Sequence, residues 1–288
     1  MFIIFQPYLG LIQVVFTLLK LPMLLFRSLW VHRSITILLA SRELTTRFTG
    51  SLFGRLWLII SPLVLLAVYA FFFGEILQAK WSVGNAGDGL TSFALVIFSG
   101  LILHQFFADC ISRAPELMLI NPNYVKKIVF PLEILPVVTL LAAIVQLLIS
   151  TLILIIVFGL VDHTVYWKWL FLPVVYIPFF ITTLGIMWVL SALGVFLRDL
   201  RQLMQFMATV TLFLSPVFYP MDRLPESMQF LNFVNPLVVV IEQARIIIFE
   251  GKYPDWMLLA EYSVISFVIA LVGFYCFQRS KPAFADVI

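Results

Sequence analysis

The chain has 288 residues, of which 62% are hydrophobic and only 11% charged, with a mean hydropathy of +1.08; soluble domains run at about 45–50% apolar and 25% charged. This balance excludes a water-soluble enzyme and defines an integral membrane protein. The net charge of +3 comes from basic residues shared among many short polar stretches, which excludes the single basic face of a nucleic-acid binder.

Residues 1–28 form an apolar extension. It lacks a basic region ahead of its apolar part and a small-residue cleavage site, so it reads as retained sequence and not as a signal peptide. Gln13, Lys20 and Pro22 interrupt it, which favours an interfacial or partly buried helix over a seventh span. Residues 29–56 contain a basic amphipathic helix pattern. Leu44, Phe48, Leu52 and Leu56 recur at i+4, while Arg42, Glu43, Thr46 and Arg47 fall on the opposite side. The pattern runs without a breaker into an uncharged stretch that reaches Ser61-Pro62, and such a helix would lie along the lipid headgroups.

Residues 57–288 carry six apolar blocks, at 57–78, 91–112, 134–159, 169–197, 203–221 and 257–278, each near the roughly 20 residues that cross a bilayer. The expected fold is an all-α integral membrane protein: six transmembrane helices, an N-terminal amphipathic interface helix, and short outer helices between spans five and six. Thirteen of the 18 Lys and Arg residues fall before span one, between spans two and three, between four and five, or after six. The excess of positive charge on those stretches places both termini in the cytoplasm.

Three connections are more than spacers. Between spans two and three, Asn121-Pro122 signals a turn, and residues 124–130 form a short helix showing Lys126 and Lys127. Between spans four and five, Arg198, Asp199 and Arg201 make a tight cytoplasmic turn. Residues 221–256 hold two apolar stretches separated by Asn235-Pro236, each too short to span. These would form two short helices or a re-entrant hairpin packed on the bundle.

Catalytic patterns are missing from the sequence. His32, His104 and His163 lie on separate segments, and Cys110 and Cys276 sit inside apolar spans as small buried hydrophobes. Gly251-Lys252 is followed by Tyr253 and belongs to no phosphate loop, so any use of ATP requires another chain. The central turns of the spans are free of charge, which argues against an ion pump. Their neutral polar groups, His104, Gln105, Gln146, Thr182, Thr183, Thr209 and Thr211, suit hydrogen bonds between helices or the lining of a hydrated path. Aromatic residues, 16% of the chain, fit interfacial belts or platforms for sugar rings.

Six segments together resemble one family. They are R-E-L-x-x-R-F-x-G-S-x-x-G-x-L-W from Arg42 to Trp57, Ser61-Pro62, the NPNYVKKIVFPLEILP run at 121–136, GVFLRDL at 194–200, LSPVFY at 214–219 and Asn235-Pro236. In this order they resemble the type-2 ABC transporter permeases that export polysaccharides such as O-antigen, capsule and teichoic acid. Residues 1–28 have no counterpart in that pattern.

The resemblance implies a transporter subunit without enzymatic activity of its own, a homodimer in the bacterial inner membrane. Two copies of a separate nucleotide-binding ATPase would bind ATP and Mg below it, and the cargo would be a lipid-linked polysaccharide. Contact with the ATPase would fall to Arg42, Glu43 and Arg47 in the first helix and to Asn121, Tyr124, Lys126 and Lys127 in the loop helix. An aromatic-lined conduit drawing on spans one, two and five would use Tyr69, Phe73, Phe106, Phe218 and Tyr219, with Arg198 and Asp199 at the cytoplasmic turn. Drug or lipid efflux would suit the same architecture. A multi-pass enzyme acting on lipid-linked sugars would need clustered carboxylates, and only Asp222, Glu226, Glu242 and Glu250 share a loop.

Overall fold

A computed structural model describes residues 22–47, 49–76, 90–126, 130–219 and 235–288. Among these, all regular structure is helical: α1 (Pro22–Val31), α2 (Arg33–Arg47), α3 (Trp57–Tyr69), α4 (Leu90–Arg113), α5 (Pro122–Lys126), α6 (Ile134–Asp162), α7 (Leu172–Phe196), α8 (Leu200–Leu214), α9 (Pro236–Phe249), α10 (Trp256–Ser280) and α11 (Phe284–Val287).

Five helical runs are long and apolar enough to cross a membrane: Gly54–Phe73, Phe93–Glu116, Ile134–Asp162, Trp167–Phe196 and Trp256–Val287. The pair α1 and α2, bent by 67°, brings the number to six if it is counted as one broken span. The expected fifth span, 203–221, is not among these runs, because its helix breaks part-way. Its helix, α8, has 15 residues, about 22 Å at 1.5 Å per residue against a hydrocarbon core of roughly 30 Å. It stops because Ser215 precedes Pro216, whose ring disfavours a helical residue before it; Ser215 is extended, at φ −104° and ψ 153°.

The unbroken helix expected from Arg42 into the first span is also corrected. α2 ends at Arg47, and the chain turns through Gly50 and Gly54, which take φ of +85° and +50°, values that glycine adopts without a Cβ penalty. Leu52 and Leu56 therefore leave the line of Leu44 and are exposed; Phe48 lies outside the described residues. The protein-facing side of α2 is instead Thr36, Ala40, Glu43 and Arg47, laid against α6, while Ile35, Ile37 and Leu38 point outward.

α4 is the central element. Ala94 through Phe98 have no exposed surface, and α3, α6, α7, α8 and α9 all pack on it. The re-entrant reading of the loop after α8 fits α9, a helix of 14 residues buried against α4 and α7. The first of the two expected short helices falls in 221–234, outside the described residues. Polar groups inside the bundle bridge helices: His104 Nε2 donates to Ala208 O at 2.9 Å, Gln146 Nε2 to Leu58 O at 3.1 Å and Thr182 Oγ1 to Ser266 Oγ at 2.8 Å.

The tightest helix pair is α7 with α10, where small residues let the backbones meet, the packing mode that apolar surroundings favour. A Cβ on Gly273 would lie 2.1 Å from Gly185 O. Gly273→Val is therefore expected to cost about 3 kcal/mol, the upper end for overpacking, seen as a lower Tm in detergent. The control is Gly159→Ala in α6, where the nearest atom to an added Cβ is 3.6 Å away and no comparable fall is expected.

Candidate functional site

One end of the bundle gathers α2, the C-terminal end of α4, α5, and the starts of α6 and α8 around a cavity of about 750 Å³. Arg42, Glu43 and Arg47 reach it from α2, two helices away in sequence from Asn121 and Tyr124, which also line it. Five of the seven residues expected to contact an ATPase therefore line one cavity. Lys126 is exposed at the end of α5; Lys127 lies outside the described residues.

The wall between α2 and α4 is ionic. Arg47 pairs with Glu43 at 3.3 Å and with Asp109 at 3.0 Å, and Arg113 pairs with Asp109 at 2.6 Å and Glu43 at 3.9 Å. Two acids and two bases thus neutralise one another, and Thr139 Oγ1 at the start of α6 adds a hydrogen bond to Glu43 at 3.2 Å. Arg42, also on the cavity, is exposed and makes no ion pair among the described residues. A movement of α2 would be carried by these contacts to α4 and α6 together.

A second cavity of about 360 Å³ runs farther into the bundle between α3, α4 and α6. Both cavities touch Arg47 and Asp109, so this ion pair stands between them. The inner cavity mixes Ser61, Gln105, Gln146 and Ser150 with Phe98 and Phe106.

At the cytoplasmic turn predicted from the sequence, Arg198 and Asp199 are exposed, and Arg201 makes the ion pair, with Glu116 below α4. Asp199 contributes its backbone carbonyl, which accepts from Gln202 N and Leu203 N, each at 3.1 Å. Sequence reasoning missed Asp109, Arg113, Glu116, Thr139 and Arg201 as members of the site. The i,i+4 spacing of Asp109 and Arg113 at a span end was the available signal.

Glu133, one residue before α6, accepts from Lys281 Nζ at 2.8 Å and from Ser28 Oγ at 2.9 Å. Burial raises its pKa, but the hydrogen bond and charge of Lys281, with smaller help from Ser28, outweigh that and hold it below the ordinary 4.5. The stabilisation is therefore present above pH 4.5 and is lost as pH falls through the lowered value.

The aromatic residues predicted to line a conduit form separate groups. Tyr69 stacks on Phe73 at 5.9 Å, and Phe73 meets Phe93 at 5.4 Å. Phe106 packs against Phe179 and Phe180 at 5.4 and 5.2 Å. Phe218 lies 6.2 Å from Phe213, and Tyr219 donates its hydroxyl to Phe213 O at 3.0 Å.

At the opposite end, Arg245 is buried in the middle of α9 with 5% of its surface exposed. It donates to Pro216 O at 2.6 Å, Val217 O at 3.0 Å, Val96 O at 3.1 Å and Ser99 Oγ at 3.3 Å. Asn235 Nδ2 donates to Leu214 O at 3.1 Å and Ser215 Oγ at 2.8 Å, while its Oδ1 caps α9 by accepting from Leu237 N. The carbonyls freed where α8 breaks are thus satisfied by side chains from α9 and the residue before it.

The long apolar helices packed around a central buried one describe a multi-pass membrane protein. Residues 35–249 match the ABC-2 type transporters, and the chain belongs to that family. As such it is the membrane subunit of a transporter that works with an ATPase subunit, and not an enzyme. Among its relatives, an O-antigen export system permease protein RfbA of Klebsiella pneumoniae is 24% identical over 257 residues, covering 88% of this chain and 95% of the relative. The protein of the same name from Myxococcus xanthus is 23% identical over 266 residues, covering 92% and 99%.

Proposed function

We propose that the chain is the permease subunit of an ATP-driven exporter of a lipid-linked polysaccharide such as O-antigen. It works in the bacterial inner membrane as a homodimer, above two copies of an ATPase subunit that bind ATP and Mg. The observation that carries this reading is the convergence of Arg42, Glu43 and Arg47 with Asn121 and Tyr124 on one charged cavity, where two segments distant in sequence present one docking end. The names of the relatives support the cargo.

The proposed orientation, with both termini cytoplasmic, is supported by charge. Arg42, Arg47, Arg55, Arg113, Lys126, Arg198, Arg201, Arg279 and Lys281 belong to the end that holds the charged cavity, against Lys168, Arg245 and Lys252 at the other. With that end inward, α2 rests its exposed Ile35, Ile37 and Leu38 among headgroups and acyl chains. ATP-driven movement of α2 and α5 then tilts α3 and α4 of each copy and opens a path at the dimer interface, to which Tyr69, Phe73, Phe106, Phe218 and Tyr219 contribute aromatic surface.

The test is co-purification with an ATPase, followed by ATP-dependent movement of lipid-linked glycan into inverted vesicles; failure of both refutes the reading. Within it, Lys126→Glu combined with Lys127→Glu is expected to leave membrane insertion intact. The same variant should weaken ATPase association by about tenfold or more, the factor that corresponds to 1.4 kcal/mol. A pull-down titration against the wild type measures it.

A further inference from the structure

α5 has only five residues, too few to hold a helix by its own hydrogen bonds. Its position is therefore decided by what stands behind it. Tyr124 stacks on Phe130 with ring centroids 4.4 Å apart. Behind that pair is a cavity of about 440 Å³, with Tyr124, Val125 and Phe130 on one side and Gln278, Lys281 and Ala285 on the other.

The far wall is firm. Phe284 of α11 has no exposed surface and packs against Phe277 at 5.5 Å and Phe196 at 6.3 Å, so α11 is held on α7 while it also touches α5. Lys281, at the foot of α10, reaches Glu133 Oε2 at 2.8 Å, and Glu133 closes the loop that α5 begins. The other carboxylate oxygen of Glu133 takes Ser28 of α1 at 2.9 Å, and its carbonyl takes Trp188 Nε1 of α7 at 3.0 Å. Contacts from α1, α7 and the foot of α10 thus meet at one residue of the α5 loop.

We propose that residues 281–288 are a positioning element for α5: a backstop, riveted by the Lys281–Glu133 pair, that passes displacement of α5 to α6 and α10 as well as to α4. This rests on the proposed role of α5 in meeting an ATPase. Without the rivet, α5 can still meet its partner, but its movement is spent in the space behind it.

The experiment compares the full chain with its ATPase in proteoliposomes, reading ATPase association, ATP hydrolysed and lipid-linked glycan moved. Lys281→Met is expected to keep ATPase association and to lower glycan moved per ATP at least fivefold. Lys281→Arg should stay within twofold of the wild type, and Lys281→Glu with Glu133→Lys should recover at least half. Ala285→Trp, which fills the cavity from an exposed position, should, when added to Lys281→Met, take up the space behind α5 and recover at least half of the glycan moved per ATP. Glu133→Gln, which removes the other charge of the pair, should lower glycan per ATP as Lys281→Met does, and it serves if Lys281→Met folds poorly. Glycan per ATP within twofold of wild type in both Lys281→Met and Glu133→Gln, or no recovery when Ala285→Trp is added, overturns the backstop. A wild type that neither binds an ATPase nor moves glycan overturns the functional reading beneath it.

Discussion

Arg245→Met is expected to be strongly destabilising, costing about 3–5 kcal/mol, because several buried acceptors lose their donor at once. The methionine keeps most of the volume but none of the donors. Pro216 O and Val217 O, at the break after α8, would lose the guanidinium that reaches them at 2.6 and 3.0 Å. Unpaired buried carbonyls cost about 1–3 kcal/mol each when no other donor arrives. Arg245→Lys should recover little, since one ammonium cannot reproduce a planar fork shared among four acceptors. The measurement is thermal unfolding in detergent together with the yield of correctly inserted protein, with exposed Arg279→Met as a control that changes stability by no more than about 0.5 kcal/mol. An Arg245→Met protein as stable as the control would refute the assignment.

The second large effect is expected at the ion pair between the two cavities. A double-mutant cycle on Arg47→Met and Asp109→Leu should return a coupling energy of about 1–3 kcal/mol. The pair is close, at 3.0 Å, and its side chains are only 17% and 28% exposed, so water screens it incompletely. The same cycle on Lys252 and Glu250, 2.7 Å apart but with the lysine 71% exposed, should return under about 1 kcal/mol. Asp109→Leu alone should be worse than the double change, because Arg47 and Arg113 would then share Glu43 as their one remaining carboxylate in the cluster. In the proposed exporter the same single change loosens α2 from α4, and ATP-dependent export should fall with it. Equal coupling energies for the two pairs would show that Arg47–Asp109 has no special role.

The bundle was legible wherever one helix is apolar over a bilayer thickness. The second, third, fourth and sixth predicted spans correspond to α4, α6, α7 and α10 because hydrophobic length alone decides such segments. At α8 it missed a break, because an apolar run continues past Ser215-Pro216 in composition while the backbone does not continue as helix. At Gly50 and Gly54, the i+4 recurrence of leucines counted sequence positions and could not register a turn in between. In the sequence, Arg245 is a charge within residues 221–256 that nothing local marks as buried. Only the placement of Ser99, Pro216 and Val217 around it reveals a buried clamp, and those contacts span 28 to 149 residues of sequence.

The amino-acid sequence by itself determined that this protein lives in a membrane, that it is helical, that its positive charge is weighted to one set of connections, and that it lacks a phosphate loop. These follow from composition, hydrophobic length and local motifs, each carried by neighbouring residues. The tertiary structure decided what those segments do to one another. It set Glu43 and Arg47 against Asp109 and Arg113, brought Asn121 and Tyr124 to the same cavity as α2, and tied Lys281 to Glu133 behind α5. Such pairings depend on packing between helices far apart in the chain, and the pattern within any one helix contains only half of each.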